Sequence, residues 1–207
     1  MAESEPRAAT TEDVAEMARV LGDAFTDDPI FVWLFPDAER RPRQCQLLFE
    51  MTVRHRYQPT GACQVLPDAV AAWEPPTHPE GGEAPPDQGE AVPTEAAEEG
   101  TDALGPELAE AGERLGVLGA LMAAHHPTEP CWYLAAIGVR PSAQGRGLGG
   151  VLLSARTAEL DASAAPAFLE ATTPRSRALY ERHGFEVVEE LVVPDGPSMW
   201  AMWREPR

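Results

Sequence analysis

Val139-Arg140-Pro141-Ser142-Ala143-Gln144-Gly145-Arg146-Gly147-Leu148-Gly149-Gly150 is the stretch that decides how this chain is read. An apolar, strand-like run over 131–139 leads into it, and a helix-forming run over 151–160 follows. A strand that passes through glycines into a helix exposes backbone N–H groups at the helix N-terminus. Residues without Cβ let the main chain approach a pyrophosphate, and the helix end adds partial positive charge. The expectation is an anion cradle, with Arg146 supplying a full charge at its rim.

The same letters satisfy G-x-G-x-x-G at Gly145, Gly147 and Gly150, with Glu170 twenty residues beyond the last glycine, as a dinucleotide-binding unit requires. Three features oppose that reading. Arg140 to Gln144 separate the strand from the first glycine, the unit sits late in the chain, and about sixty residues remain for further strands. A glycine turn without a ligand is the other alternative, and three glycines carry an entropic cost that packing alone seldom requires.

The spacing Gln144-x-x-Gly147-x-Gly149 after a strand resembles the acetyl-CoA signature of the Gcn5-related N-acetyltransferase (GNAT) family. Downstream, Tyr180-x-x-x-Gly184-Phe185 resembles that family's next motif. From His126 onward the chain is similar to members that acetylate aminonucleoside antibiotics. Trp132, Leu134-Ala135, Gly138-Val139, Pro166-Ala167-Phe168-Leu169-Glu170, Tyr180-Glu181-Arg182 and Gly196-Pro197 carry that similarity. The resemblance implies a single-domain α/β fold whose mixed central sheet is splayed at the acetyl-CoA site and flanked by helices. It implies acetyl-CoA as cosubstrate, no metal, and a small-molecule amine as acceptor. Cofactor contacts would come from Ile137, Gly138, Val139, Gln144, Gly145, Arg146, Gly147, Leu148 and Gly149. Ser176 stands where the family usually has an asparagine. Tyr180 would protonate the departing sulfur; its other reading is a core ring on an amphipathic helix. Protein N-termini as acceptors, and a non-catalytic acetyl-CoA-binding module, are the alternative functions.

Many relatives carry a carboxylate base on the strand before the glycine loop, but Trp132-Tyr133-Leu134-Ala135-Ala136-Ile137 has none. Glu170, at the end of the next strand, and Asp27 or Asp28, acting through water, are the candidates. Asp27 and Asp28 open a proline-bounded aromatic segment with Phe31, Trp33 and Phe35. With Phe25, those rings are either the wall of an acceptor pocket or core, Phe25 favouring core, and the two aspartates could hold an ammonium group.

Composition narrows the function classes. The formal net charge is −18, all sixteen basic residues are arginine, and neither Lys nor Asn occurs. Schiff-base and Walker-type chemistry therefore drop out, and bulk attraction to nucleic acid or an anionic membrane is disfavoured. Residues 74–113 hold twelve acidic side chains and no arginine. Within that stretch, residues 77–100 lack the apolar side chains needed to offset ordering entropy, so they read as a mobile insertion. Cys45, Cys63 and Cys131 lack paired spacing and read as core or free thiols, and His125-His126 makes a weak metal case. With no leader-like or membrane-spanning run, a cytoplasmic protein of one 207-residue domain is expected. Residues 1–7 read as a frayed terminus, followed by helices near 11–25 and 38–55, a hairpin over 62–73, a helix from Pro106 to His125, and strands over 131–139, 167–171, 185–193 and 199–204.

Overall fold

The structure, a computed structural model, describes residues 5–76 and 105–207. The acidic insertion expected at 77–100 lies outside the described residues.

Helix α1 (Val14–Phe25) turns Val14, Met17, Ala18 and Leu21 inward, as their three- and four-residue spacing dictates. A single 3-10 turn capped at Thr10 precedes it. Asp28 caps α2 (Pro29–Leu34), with Pro29 in the first turn where its missing N–H costs nothing. Helix α3 (Arg41–Thr52) continues through a wider π turn, Val53–Tyr57. The frayed terminus expected over 1–7 is corrected at its end: Arg7–Ala8 forms a short strand, β1, paired with β2 (Gln64–Leu66). That pairing is long-range and leaves no local signature.

Strand β2 turns at Pro67-Asp68 into β3 (Ala69–Glu74), and Asp68 takes the left-handed conformation, φ 64°, that aspartate tolerates. The single helix expected between Pro106 and His125 is two, α4 (Pro106–Ala109) and α5 (Gly112–His125). Then follow β4 (Trp132–Val139), α6 (Leu148–Ala162), β5 (Ala167–Ala171), α7 (Pro174–Arg182), β6 (Glu186–Val192) and β7 (Ser198–Arg204). Helix α7 stops at Gly184, whose φ of 89° closes it.

The seven strands form one mixed sheet in the order β1-β2-β3-β4-β5-β7-β6. Leu152, Leu153 and Leu160 of α6 pack with Tyr180 and Phe185 on one face, against Trp73, Leu134 and Leu169. Helices α1, α2 and α3 cover the other face. Gly138 is fixed by this packing: a Cβ there would stand 3.0 Å from Leu21 Cδ2 and 3.1 Å from Ala24 Cβ of α1.

Strands β4 and β5 run parallel but pair only at Trp132, Tyr133 and Leu134 with Ala167, Phe168 and Leu169. The β3 ladder, by contrast, follows β4 to Val139, with a register shift at Ala72/Trp73 that leaves Ala135 as the extra residue on β4. A bulge bends its strand and increases local twist. Here it falls at the residue where β4 leaves β5, and the sheet opens.

Candidate active site

One cavity of about 800 Å³ runs from the glycine loop, through the opening between β4 and β5, to the space beneath α1, α3 and α5. Its first end is the loop. Gly145 and Gly147 hold φ of 79° and 84°, and a Cβ built on either meets nothing within 4 Å, so the loop borders open space. Gly147 is the N-cap of α6 and places no side chain over the first turn, where a helix leaves N–H groups without backbone partners. A pyrophosphate fits such a site. Gln144 ties the loop down, donating to Val139 O at 3.2 Å and accepting from Arg175 Nη1 at 3.3 Å.

Sequence reasoning put the loop's cation at Arg146. Its guanidinium instead donates to Ser142 O at 3.1 Å, and the residue does not line the cavity. Arg175 does, from the first turn of α7. Ser176 also borders the cavity, but its hydroxyl is engaged: it donates to Thr173 O at 2.9 Å and accepts from Thr173 N at 3.1 Å in a capping box. The serine therefore starts α7, a local role visible in Thr173-Pro174-Arg175-Ser176.

Ile137, Gly138 and Val139 line the middle of the cavity, beyond the last β4–β5 pair, so their backbone groups on that side have no ladder partner. Tyr180 reaches the same space from α7 and is only 6% exposed. Burial, with the charges of Asp28 and Glu170 adding to it, raises its hydroxyl above the ordinary phenol range, so it stays protonated.

Across the opening lies Glu170, two residues beyond Phe168 and on the same face of β5. Burial pushes its carboxyl up to about 7, against the opposing pull of a hydrogen bond from Tyr133 Oη at 2.8 Å. Tyr133 is the one residue of the apolar β4 run with a hydroxyl, and Tyr57, from the π turn, lines the same wall. A carboxylate poised near neutrality beside a buried phenol donor can exchange a proton with a cationic ligand.

The two aspartates part company. Asp28 accepts from Ile30 N at 2.9 Å and from the Thr172 hydroxyl, which ties the start of α2 to the end of β5. Burial raises its carboxyl, offset by those donors. Asp27 is exposed on the cavity wall.

Phe31 meets Phe25 at 5.0 Å and Phe49 at 5.3 Å, and all three rings line the cavity. Phe25, favoured as core in the sequence, is thus part of the wall. Trp33 is not: its Nε1 lies 2.9 Å from where a Cβ on Gly196 would be. In a six-residue helix, residues 31 and 33 cannot share a face. Leu115, Leu118 and Met122 of α5 complete the apolar side. The three cysteines are buried and unpaired. Among the described residues no group of His, Cys, Asp or Glu is placed to hold a metal ion, and no helix is long and apolar enough to cross a membrane.

A parted parallel strand pair above a helix N-terminus, with a proton donor and a proton acceptor at the parting, describes an acyl-transfer site. The chain belongs to the acetyltransferase (GNAT) family, whose sequence profile matches residues 67–185. It is accordingly an acetyl-CoA-dependent N-acetyltransferase. Among solved structures it is similar to histone acetyltransferase HPA2 and related acetyltransferase from Corynebacterium glutamicum, at 26% identity and TM-score 0.69, covering 98% of this chain and 96% of that one. The polyamine N-acetyltransferase of Drosophila melanogaster, which forms N-acetylagmatine, shares the fold at 16% identity and TM-score 0.59, covering 97% and 98%. So does Chaetomium thermophilum Naa20, at 15% identity and TM-score 0.52, covering 98% and 87%.

Proposed function

We propose that the chain acetylates the primary amine of a small molecule with an aromatic or otherwise apolar body, and that puromycin-like aminonucleosides are the first acceptors to test. The observation that carries this reading is the single cavity joining the glycine loop to the Phe25, Phe31 and Phe49 wall, with Glu170 and Tyr180 between them. Aryl-bearing amines gain from that wall by burying apolar surface. A polyamine finds less. Asp23 is engaged by Arg140 at 2.8 Å and Asp28 by Thr172, which leaves Asp27 to receive an exposed ammonium.

Acetyl-CoA supplies the activated acetyl group as a thioester. In this reading the N–H groups of Gly145 to Gly149, with Arg175, receive its pyrophosphate, and Ile137, Gly138 and Val139 present the unpaired edge of β4 to its pantetheine arm and thioester. Glu170 removes the proton from the acceptor's ammonium, and the freed lone pair attacks the thioester carbonyl carbon. When the carbon–sulfur bond breaks, Tyr180 gives its hydroxyl proton to the sulfur and recovers one from the new amide nitrogen. The balance is one amide, one free thiol and one proton released through Glu170 to water. Three buried, unpaired thiols fit a reducing, cytoplasmic setting.

The experiment is free-thiol release from acetyl-CoA across aminonucleosides, arylalkylamines, polyamines and peptides with free N-termini. Aminonucleosides and arylalkylamines are expected to turn over fastest by kcat/KM. A preference for polyamines or for peptide N-termini would overturn the acceptor class, and cofactor binding without thiol release on any amine would overturn catalysis.

A further inference from the structure

We infer that Tyr133 is a positioning residue for the acetyl-transfer base: its hydroxyl bridges the gap where β4 and β5 part and aims the carboxylate of Glu170 at the acceptor. The inference rests on the reading of Glu170 as the base and adds a residue that neither the sequence motifs nor the family resemblance singled out.

The backbone supports the bridge. Tyr133 and Phe168 are register partners, and the ladder ends one pair later at Leu134 and Leu169. Glu170 is thus the first inward-facing residue of β5 beyond the ladder, with no β4 backbone opposite to hold it. A side-chain hydrogen bond from Tyr133 Oη to Oε2, 2.8 Å long, takes the place of the missing ladder bond. One carboxylate oxygen is then held by Tyr133, on a residue that itself lines the cavity.

The tyrosine ring is itself fixed. It stacks on Phe168 at 6.1 Å and 27°, and His126 packs edge-on against it at 5.1 Å and 85°. Burial, with the neighbouring Glu170 charge, raises its hydroxyl well above the ordinary phenol range, so it donates at every working pH.

The charged and titratable neighbours around Glu170 are few. Arg56 and Glu74, paired to each other at 2.6 Å, act on it with opposite signs. Asp28 and Tyr180 line the same cavity, where Tyr180 feels the charges of both Asp28 and Glu170, and Tyr57 and His126 adjoin Tyr133. Of these, Tyr133 alone donates a side-chain hydrogen bond to Glu170 among the described residues.

A donor to the charged form favours that form. Its loss leaves burial less opposed, so Glu170 should hold its proton to higher pH. In Tyr133→Phe the ring and its stacking remain. The acid limb of kcat/KM should move up by about one pH unit, with most of the rate regained above the shifted limb. Two acceptors of different amine basicity identify the limb that belongs to the enzyme, since it stays put between them. The carboxylic-acid infrared band that is absent from Glu170→Gln reports the same titration without turnover, and it should shift upward equally in Tyr133→Phe. A uniform rate loss at every pH, with limb and band unmoved, would overturn the positioning role and leave Tyr133 a packing residue. If instead Glu170→Gln keeps the acceptor-independent limb, the base assignment has failed, and Tyr133 with it. A Tyr133→Phe protein that cannot be obtained folded would also overturn the inference, because it would make the hydroxyl a requirement of the fold.

Discussion

Leu134 and Leu169 are the last paired residues between β4 and β5, and the bulge at Ala135 follows immediately on β4. Glu170 and the edge of β4 over Ile137, Gly138 and Val139 lie beyond that pair, and Tyr133 reaches Glu170 from just before it. Two titratable groups line the cavity at that opening, Glu170 near neutrality and Tyr180 held protonated.

Gly147→Asp should abolish measurable acetyl-CoA binding, because it sets a carboxylate against the pyrophosphate at the helix N-terminus. Ala at this position suffers the left-handed backbone, a penalty of about 1–2 kcal/mol, and Asp, which tolerates that conformation better, suffers less. Gly147→Ala is therefore the control for strain. Calorimetry should show cofactor affinity lost by about 100-fold or more in the Asp variant, with a melting-temperature loss no larger than that of the Ala variant.

Tyr180→Phe should lower kcat by about 100-fold at neutral pH and leave acetyl-CoA affinity close to the parent's, as removal of a general acid does. The ring still packs on Phe185, 6.1 Å away. Single-turnover measurement of the chemical step is the check. An unchanged step would return Tyr180 to the core.

Glu170→Gln should make the protein less active and more stable above neutral pH. A carboxyl raised from 4.5 in the unfolded chain to about 7 in the folded one binds more protons when folded. Stability therefore falls as pH rises from about 4.5 to about 7, and the loss is complete above that window. The neutral glutamine escapes the loss. The variant should exceed the parent by about 2 kcal/mol at pH 8, allowing for screening at the cavity wall, and the difference should vanish below pH 4.5. Urea melts at both pH values test this sign.

Asp27 and Asp28 should separate cleanly. Asp28→Ala removes the cap of α2 and the partner of Thr172, and should lose about 1–3 kcal/mol of stability. Asp27→Asn should melt with the parent and raise the acceptor KM several-fold at nearly constant kcat, the signature of lost uniform binding. Thermal melts and initial-rate kinetics distinguish the pair.

The order of elements was largely legible in the chain because local rules govern it. Alternation and apolar runs marked β4 and β5, the spacing of Val14, Met17, Ala18 and Leu21 marked α1, and Pro67-Asp68 marked the β2–β3 turn. The glycine loop was legible for the same reason: its left-handed residues demand glycine, and glycine is visible in sequence. The two helices inside 106–125 were not separated, since the break at Glu110-Ala111 carries neither proline nor glycine.

What the sequence by itself determined, then, was the strand–loop–helix cradle, the motif pair that places the chain among the acetyltransferases, and a short list of candidate acids and bases. Only the tertiary structure decided where each of them sits and what it touches. It set Asp28 to capping and left Asp27 exposed, turned Phe25 to the cavity and Trp33 to Gly196, brought Arg175 to the cavity while Arg146 turned to Ser142, and joined Tyr133 to Glu170. Each of those choices depends on which residues from distant segments meet, and on how much water their meeting excludes. Sequence spacing fixes the face a side chain occupies. Burial and hydrogen-bond partners, which decide whether that side chain holds a proton, exist only once the strands have parted and the helices have closed over the gap.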